Sequence, residues 1–478
     1  MFFKNELILN YFSNGILIYG AILATSYIIL SIISAIETNH YLKKNSFVNY
    51  TKILASPFAP TISIIAPAYN ESLTIIENVR SLLSIQYVNY EVLLINDGST
   101  DDSLDKLIEA YALTKVNYTF NEKLPTEKIK AVYKSTKPSF SRLLVIDKEN
   151  GGKADALNAG LNISENNLVA CIDVDCILEP DALLKMVKPF LENEKEEKVI
   201  AAGGVIRVAN SCVVKDGKLI EVKMPENFLA KSQVLEYMRT FLLGRMAWSK
   251  LNGLLLVSGA LGLFDRKIMI AAGGYNKIVG EDIELVTRIR KYMTENEEKY
   301  KVVYIPDPLC WTEVPETYKV LGRQRNRWTR GMIETLIIHK NLFFNPSYGM
   351  LGIISYPYWF FYEWLAPIVE FLAILFFIVL IYFNRINWEY FILLTTAVYT
   401  FAILFSALSI LSEELTYHQY SKKRVLFKLL FFVLLEPFIF HPYVMWSSIK
   451  GNFNFIFSKN KKNWGEMTRT GFKSEVVN

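Results

Sequence analysis

Histidine and cysteine are scarce in this 478-residue chain, four of each. The histidines are scattered, which argues against the clustered ligands of a zinc site. The cysteines (Cys171, Cys176, Cys212 and Cys310) form no CxxC pair, so reduced thiols facing a cytosol fit better than a disulfide framework. A large excess of one charge is missing too. The formal net charge is +5 and spread along the chain, without the basic patch a nucleic-acid partner needs. No internal repeat is visible. One stretch, Leu7 to Ile36, lacks charge altogether between Glu6 and Glu37. A signal peptide has a shorter apolar core of about 7–15 residues, with basic residues before it and a small-residue cleavage site after it. A retained membrane helix over roughly Ile16 to Ile36 fits instead.

What is present in quantity is apolar side chain, 51% of residues. That is high for a soluble protein and low for one wholly in lipid, and suits a soluble part joined to membrane spans. A second apolar region starts near Leu351, carries only Glu363 and Glu370 before Arg385, and is divided by Pro367. Tyr390 to Ser412 is uncharged and long enough for a hydrocarbon core of ~30 Å. Leu426 to Ile449 is interrupted by Lys428, Glu436 and Pro437. These make three or four C-terminal segments. Lys422–Arg424 and Lys459–Lys462 flank the last one on both ends, so the basic residues leave its orientation open. Glu363, Glu370 and Glu436 are costly in apolar segments and mark a polar path. Tyr356, Tyr358, Trp359 and Trp364 either stack on sugars along that path or form an aromatic belt. The expected division is residues 1–48 as N-terminal membrane helix and linker, 49–345 as a soluble domain ending in an interfacial helix, 346–450 as a membrane region, and 451–478 as a tail.

In the soluble middle, TISIIA (61–66), YEVLLIN (90–96), RLLVID (142–147) and LVACI (168–172) read as strands covered on both faces. Helical patterns follow at Leu73–Leu83, Ser103–Tyr111, Ala154–Leu161 and Leu183–Phe190. This alternation predicts an α/β fold with a mostly parallel sheet, and ligands beyond the carboxyl ends of its strands. Polar residues sit there: Tyr69, Asn70 and Glu71, then Asp97, then Asp173 and Asp175. Lys115–Ser141 reads as an inserted loop or hairpin. Asp173 and Asp175, two apart on an extended chain, would share a face. With no histidine nearby they suit a hard cation, Mg²⁺ or Mn²⁺, completed by phosphate oxygens and water. Alone, a D-x-D is more often a turn or helix cap.

The ordered motifs APAYNE (66–71), INDGSTDDS (95–103), ENGGKADALNAG (149–160), DVD (173–175), SGALGLFDR (258–266), GED (280–282) and QRNRW (324–328) resemble those of membrane-bound family 2 glycosyltransferases. These include the processive synthases of cellulose, chitin, hyaluronan and poly-N-acetylglucosamine. Gly280, where those synthases carry Thr, and the insertion 115–141 are departures. The resemblance implies a GT-A fold that binds a nucleotide sugar, and an inverting mechanism with Asp282 as general base. Tyr69, Glu71, Asp97, Lys153, Asp173 and Arg327 then bind a UDP-sugar. Gln324, Trp328 and Glu281 face the acceptor, and Asp173 with Asp175 holds the metal.

On their own chemistry these residues keep second readings. Asp97, Ser99 or Thr100 caps the next helix. Lys153 is a solvated lysine, and Glu281 supports its loop. Asp282 is an acid in a helix first turn. The Arg325–Arg330 cluster forms a belt at lipid headgroups. The resemblance favours a multi-pass protein of the cell (inner) membrane with a cytosolic catalytic domain. It would extend a β-linked glycan from UDP-N-acetylglucosamine, among membrane lipid and with room for a small accessory membrane subunit. A single-addition enzyme making a glycolipid is the alternative, and a catalytically silent glycan channel a third reading.

Overall fold

A computed structural model describes residues 6–54, 56–192, 197–420 and 423–457. Strands β1 (Ile62–Ala68), β2 (Tyr90–Asn96), β3 (Leu113–Val116), β4 (Ile129–Ser135), β5 (Leu143–Lys148), β6 (Leu168–Ile172), β7 (Ile177–Leu178), β8 (Lys198–Val208), β9 (Val213–Lys215), β10 (Lys218–Glu221), β11 (Leu261–Asp265) and β12 (Tyr300–Thr312) build the soluble part. Ten of them form one sheet in the order β3-β4-β5-β2-β1-β6-β11-β8-β12-β7. The four apolar runs are its parallel core, β5-β2-β1-β6. Their residues are almost wholly buried because helices cover both faces.

The insertion is β3 and β4, an antiparallel pair that extends the sheet edge. The helix–strand rhythm did not extend to β11, which runs antiparallel between β6 and β8. The sheet is therefore mixed around a parallel core, with the ends of β1, β2 and β6 opening on one side.

Four helical segments among the described residues are long and apolar enough to cross a membrane: Leu9–Asn45, Leu351–Tyr382, Trp388–Thr416 and Lys423–Phe457. The first outruns the expected span, and its end is tied to the soluble domain. Tyr41 donates to Asp307 at 2.5 Å and Lys44 pairs with Glu192 at 3.0 Å. The second passes through π-helical turns at Leu351–Ser355 and Trp359–Trp364. Three segments thus follow the soluble domain among the described residues. Lys422, Lys459–Lys462 and residues 463–472 lie outside those residues.

Buried acids near the membrane segments are matched by arginines of the soluble domain. Arg239 makes a two-pronged pair with Glu436 at 3.0 and 3.1 Å and donates to Ser406 at 2.7 Å. Arg207 on β8 pairs with Glu413. An isolated buried carboxylate is costly, and a bidentate arginine is the partner that offsets most of that cost.

Candidate active site

The loops after β1 and β2 brace each other. Asn70 sits at φ +55°, a left-handed conformation that asparagine tolerates. Its amide oxygen accepts from Thr100 N at 2.8 Å, while Asn70 N donates to Ser99 Oγ at 3.0 Å and Glu71 N to Ser103 Oγ at 3.1 Å. Ser99 and Thr100 therefore hold the Tyr69–Glu71 loop, and neither caps the following helix. Tyr69 stands half exposed at the rim.

Asp97 is buried, and its carboxylate accepts three hydrogen bonds. Lys148 Nζ and Gly151 N reach one oxygen at 2.7 and 3.0 Å, and Gly152 N reaches the other at 2.8 Å. Lys148 is wholly buried and also pairs with Asp155 at 2.7 Å. This charge cluster fixes the Gly151–Gly152 turn, where Gly152 takes φ +86° as N-cap of the helix Lys153–Ile163. Lys153 is thereby aimed across the ends of the strands from a helix N-terminus, a position suited to phosphate.

Lys153 Nζ lies 2.5 Å from Asp173 and 3.2 Å from Glu281. Burial works against its charge, but the two carboxylates outweigh that and hold the ammonium above the usual lysine range. Glu281 and Asp282 begin the helix Glu281–Glu295. Asp282 accepts from Gly259 N at 3.1 Å and from Ile283 N at 2.9 Å, so the helix-terminal placement and the cavity placement coexist.

β6 ends at Ile172 as its pattern predicts, but Asp173–Asp175 is not extended. Cys176 N donates to Asp173 O at 3.0 Å and closes a turn. The alternation argument for a shared face therefore fails, although both carboxylates line the same cavity. Their donor set is hard oxygen, as Mg²⁺ or Mn²⁺ requires, and the ammonium on Asp173 shows that the spot attracts a cation. No group of three His, Cys, Asp or Glu side chains placed to hold a metal ion occurs among the described residues, here or elsewhere. A divalent ion held by these two carboxylates would need phosphate and water for the rest of its about six ligands.

QRNRW lies on the helix Tyr318–Ile338. Gln324 is buried against the cavity, and its Oε1 has no hydrogen-bond partner. Arg325 pairs with Glu236 at 2.6 Å and lies over the Trp328 ring at 4.2 Å, and all three line the cavity. Arg327 and the half-exposed Trp328 line the cavity. All the expected site residues thus meet in one cavity of about 2530 Å³, which continues between the membrane segments as far as Glu370 and His441. Sequence reasoning missed Lys148, Gly259 and Arg245. Gly259 stood inside a quoted motif without a role; the other two carry no local signal.

The family model for glycosyltransferase like family 2 matches residues 59–331, and one for chitin synthase matches 276–467. A poly-beta-1,6-N-acetyl-D-glucosamine synthase of Staphylococcus epidermidis is 28% identical over 278 residues, 58% of this chain and 55% of that protein. The enzyme of the same name from Staphylococcus aureus strain COL is 26% identical over 329 residues, 68% of this chain and 66% of that protein. The chain thus spans about half the length of the first of these relatives. Among solved structures, a mannosyltransferase from Pyrobaculum calidifontis in complex with GDP-Man and Mn²⁺ aligns at TM-score 0.49 with 17% identity, covering 87% of this chain and 98% of that one.

Proposed function

This chain belongs to the glycosyltransferase like family 2, and we propose that it is an inverting transferase that extends a β-linked glycan from UDP-N-acetylglucosamine. The acceptor hydroxyl attacks the anomeric carbon as the bond to the diphosphate breaks, and Asp282 takes the hydroxyl proton. The leaving diphosphate is already a weak base. Lys153 and Arg327 neutralise it, so no second carboxylate is needed as acid. A divalent ion on Asp173 and Asp175 would add Lewis-acid stabilisation of that leaving group. Asp97 acts on the nucleotide from the floor of the site with Tyr69 and Glu71 above it. Gln324, Trp328 and Glu281 set the acceptor. In this reading residues 49–345 face the cytosol of a multi-pass membrane protein, and the cavity is the way out for the glycan.

The observation that carries the reading is the placement of Asp282. It is held by Gly259 N at 3.1 Å beside Lys153, in a cavity that runs on between membrane segments. The test is product size after incubating the detergent-purified protein with Mn²⁺ and radiolabelled UDP-N-acetylglucosamine. Polymer that disappears with Asp282→Asn supports the proposal. The apolar wall of the cavity, with Phe377, Leu394 and Val398, favours a glycolipid product as second reading, which would give small, lipid-extractable material. No product from any UDP-sugar would return the silent-channel role.

A further inference from the structure

The carboxylates along the membrane part of the cavity are not alike. Glu436 has Arg239, and Glu370 has His441 at 2.9 Å. Glu363 stands exposed on the cavity wall, on the π-helical turn Trp359–Trp364. Among the described residues it forms no hydrogen bond or ion pair. Arg245 lines the same cavity at the head of a short helix, stacked over Phe241 at 4.3 Å. Its Nη1 is buried without a hydrogen-bond partner. Asp282 and Glu363 line that same cavity with it, together with residues of the membrane segments.

A carboxylate and a guanidinium left unjoined across a cavity need something between them that both accepts and donates. The cavity is also lined by the aromatic residues Trp248, Tyr358 and Tyr362. Trp248 and Tyr358 meet edge to face at 4.8 Å, and Tyr358 and Tyr362 lie 5.3 Å apart. Sugar hydroxyls donate to a carboxylate, hydroxyl and amide oxygens accept from arginine, and the apolar faces of pyranose rings pack on aromatic rings. A lipid tail offers none of the polar groups.

We propose that Arg245 and Glu363, with Tyr358 and Tyr362, form an acceptor subsite for an already transferred sugar of the chain, and that its grip decides how long the product grows before release. This inference rests on the reading of the protein as a polymer synthase. Each π-helical turn widens the helix and is found more often at functional sites than elsewhere, which suits a wall that holds a ring.

The test measures product-length distribution together with UDP release, using UDP-N-acetylglucosamine and an N-acetylglucosamine oligosaccharide as primer. Glu363→Gln and Arg245→Met should shorten the product about tenfold, the loss expected for one charged hydrogen bond, and shorten it more than they slow UDP release. Arg245→Lys, which keeps the charge, should restore part of the length. UDP binding, measured by calorimetry, should be unchanged. Wild-type polymer with unaltered length in both variants would overturn the subsite. Loss of UDP binding would too, because it marks the pair as structural. A wild type that makes no polymer ends the inference together with the reading beneath it, and is thereby told apart from failure of the subsite alone.

Discussion

Burial pushes the Glu281 carboxyl up to about 7, against the pull of Lys153 and helped by the charge of Asp282. The ordinary value is 4.5, so the folded protein keeps a proton that the unfolded chain releases over the window between. The stability that this group contributes is therefore fully present below about pH 4.5 and falls away as pH rises to about 7, by about 3 kcal/mol. Glu281→Gln removes the titration. Its melting temperature in detergent should stay level across that window where the wild type declines, and parallel declines in both would sink the argument. The same neighbourhood shows what a sequence discloses about single residues. Asp97, Lys153, Asp173 and Asp282 stood out because they end apolar runs or begin helices inside ordered motifs; a capping role alone could explain the acids, and the motifs' order tipped the reading. Lys148 did not. Its two carboxylate partners are brought to it by the fold, from a different strand end and from the next helix, and in the sequence it is one lysine among many.

Two glycines set how close the helix Tyr318–Ile338 comes to the start of the helix that bears Asp282. A Cβ on Gly331 would lie 2.7 Å from Gly280 Cα, and one on Gly280 would lie 2.8 Å from Gly331 Cα. This is backbone against backbone, with no flexible side chain to swing away. It accounts for Gly280 where related synthases carry threonine, and it lets Tyr318–Ile338, bearing Gln324 and Arg327, pack on the start of Glu281–Glu295. Gly331→Ala should wedge the two apart at a cost of about 1–3 kcal/mol. It should also lower turnover by about a hundredfold, since displacement near 1 Å has that effect on positioned groups. Gly15→Ala, whose methyl meets nothing within 4 Å, is the control and should be silent. A fully active Gly331→Ala would refute the contact. The strands of the parallel core were legible for a related reason: buried on both faces, they read as unbroken apolar runs. β11 has the same character in LGLFD but follows no helix–strand rhythm, and its antiparallel direction is set by neighbours that the sequence does not name.

The whole molecule bears on how often the chain crosses the membrane. Lys423–Phe457 is apolar enough to cross, yet its contacts with the soluble domain continue from one end to the other. Leu429 and Val433 pack with Val208 and Ala230, and Phe440 packs with Leu229 and Leu321. Tyr443 donates to Tyr318 O, and Gly451 lies against Asn326 and Thr329. Its other face is an exposed apolar stripe of Phe427, Phe431 and Leu434, spaced as one side of a helix, and Phe438 beyond them stacks on Tyr399 at 4.2 Å. A helix of 35 residues is about 52 Å long, and a crossing would carry one end some 30 Å away from the domain. A helix lying along the membrane surface, protein on one side and lipid on the other, satisfies both faces. It also removes the conflict between the basic residues at its two ends, which can then share one side. Trp388–Thr416 must return to that side, because Glu413 is bound to Arg207. This placement predicts three crossings: one in Leu9–Asn45, then one out through Leu351–Tyr382 and one back. The native cysteines are all buried, so single cysteines introduced by Arg424→Cys, Lys450→Cys and Asn384→Cys can be read with an impermeant thiol reagent on oriented vesicles. The first two should label from the face that carries the soluble domain and the third from the opposite face. Labelling of Arg424→Cys and Lys450→Cys from opposite faces would establish a fourth crossing and overturn the surface placement.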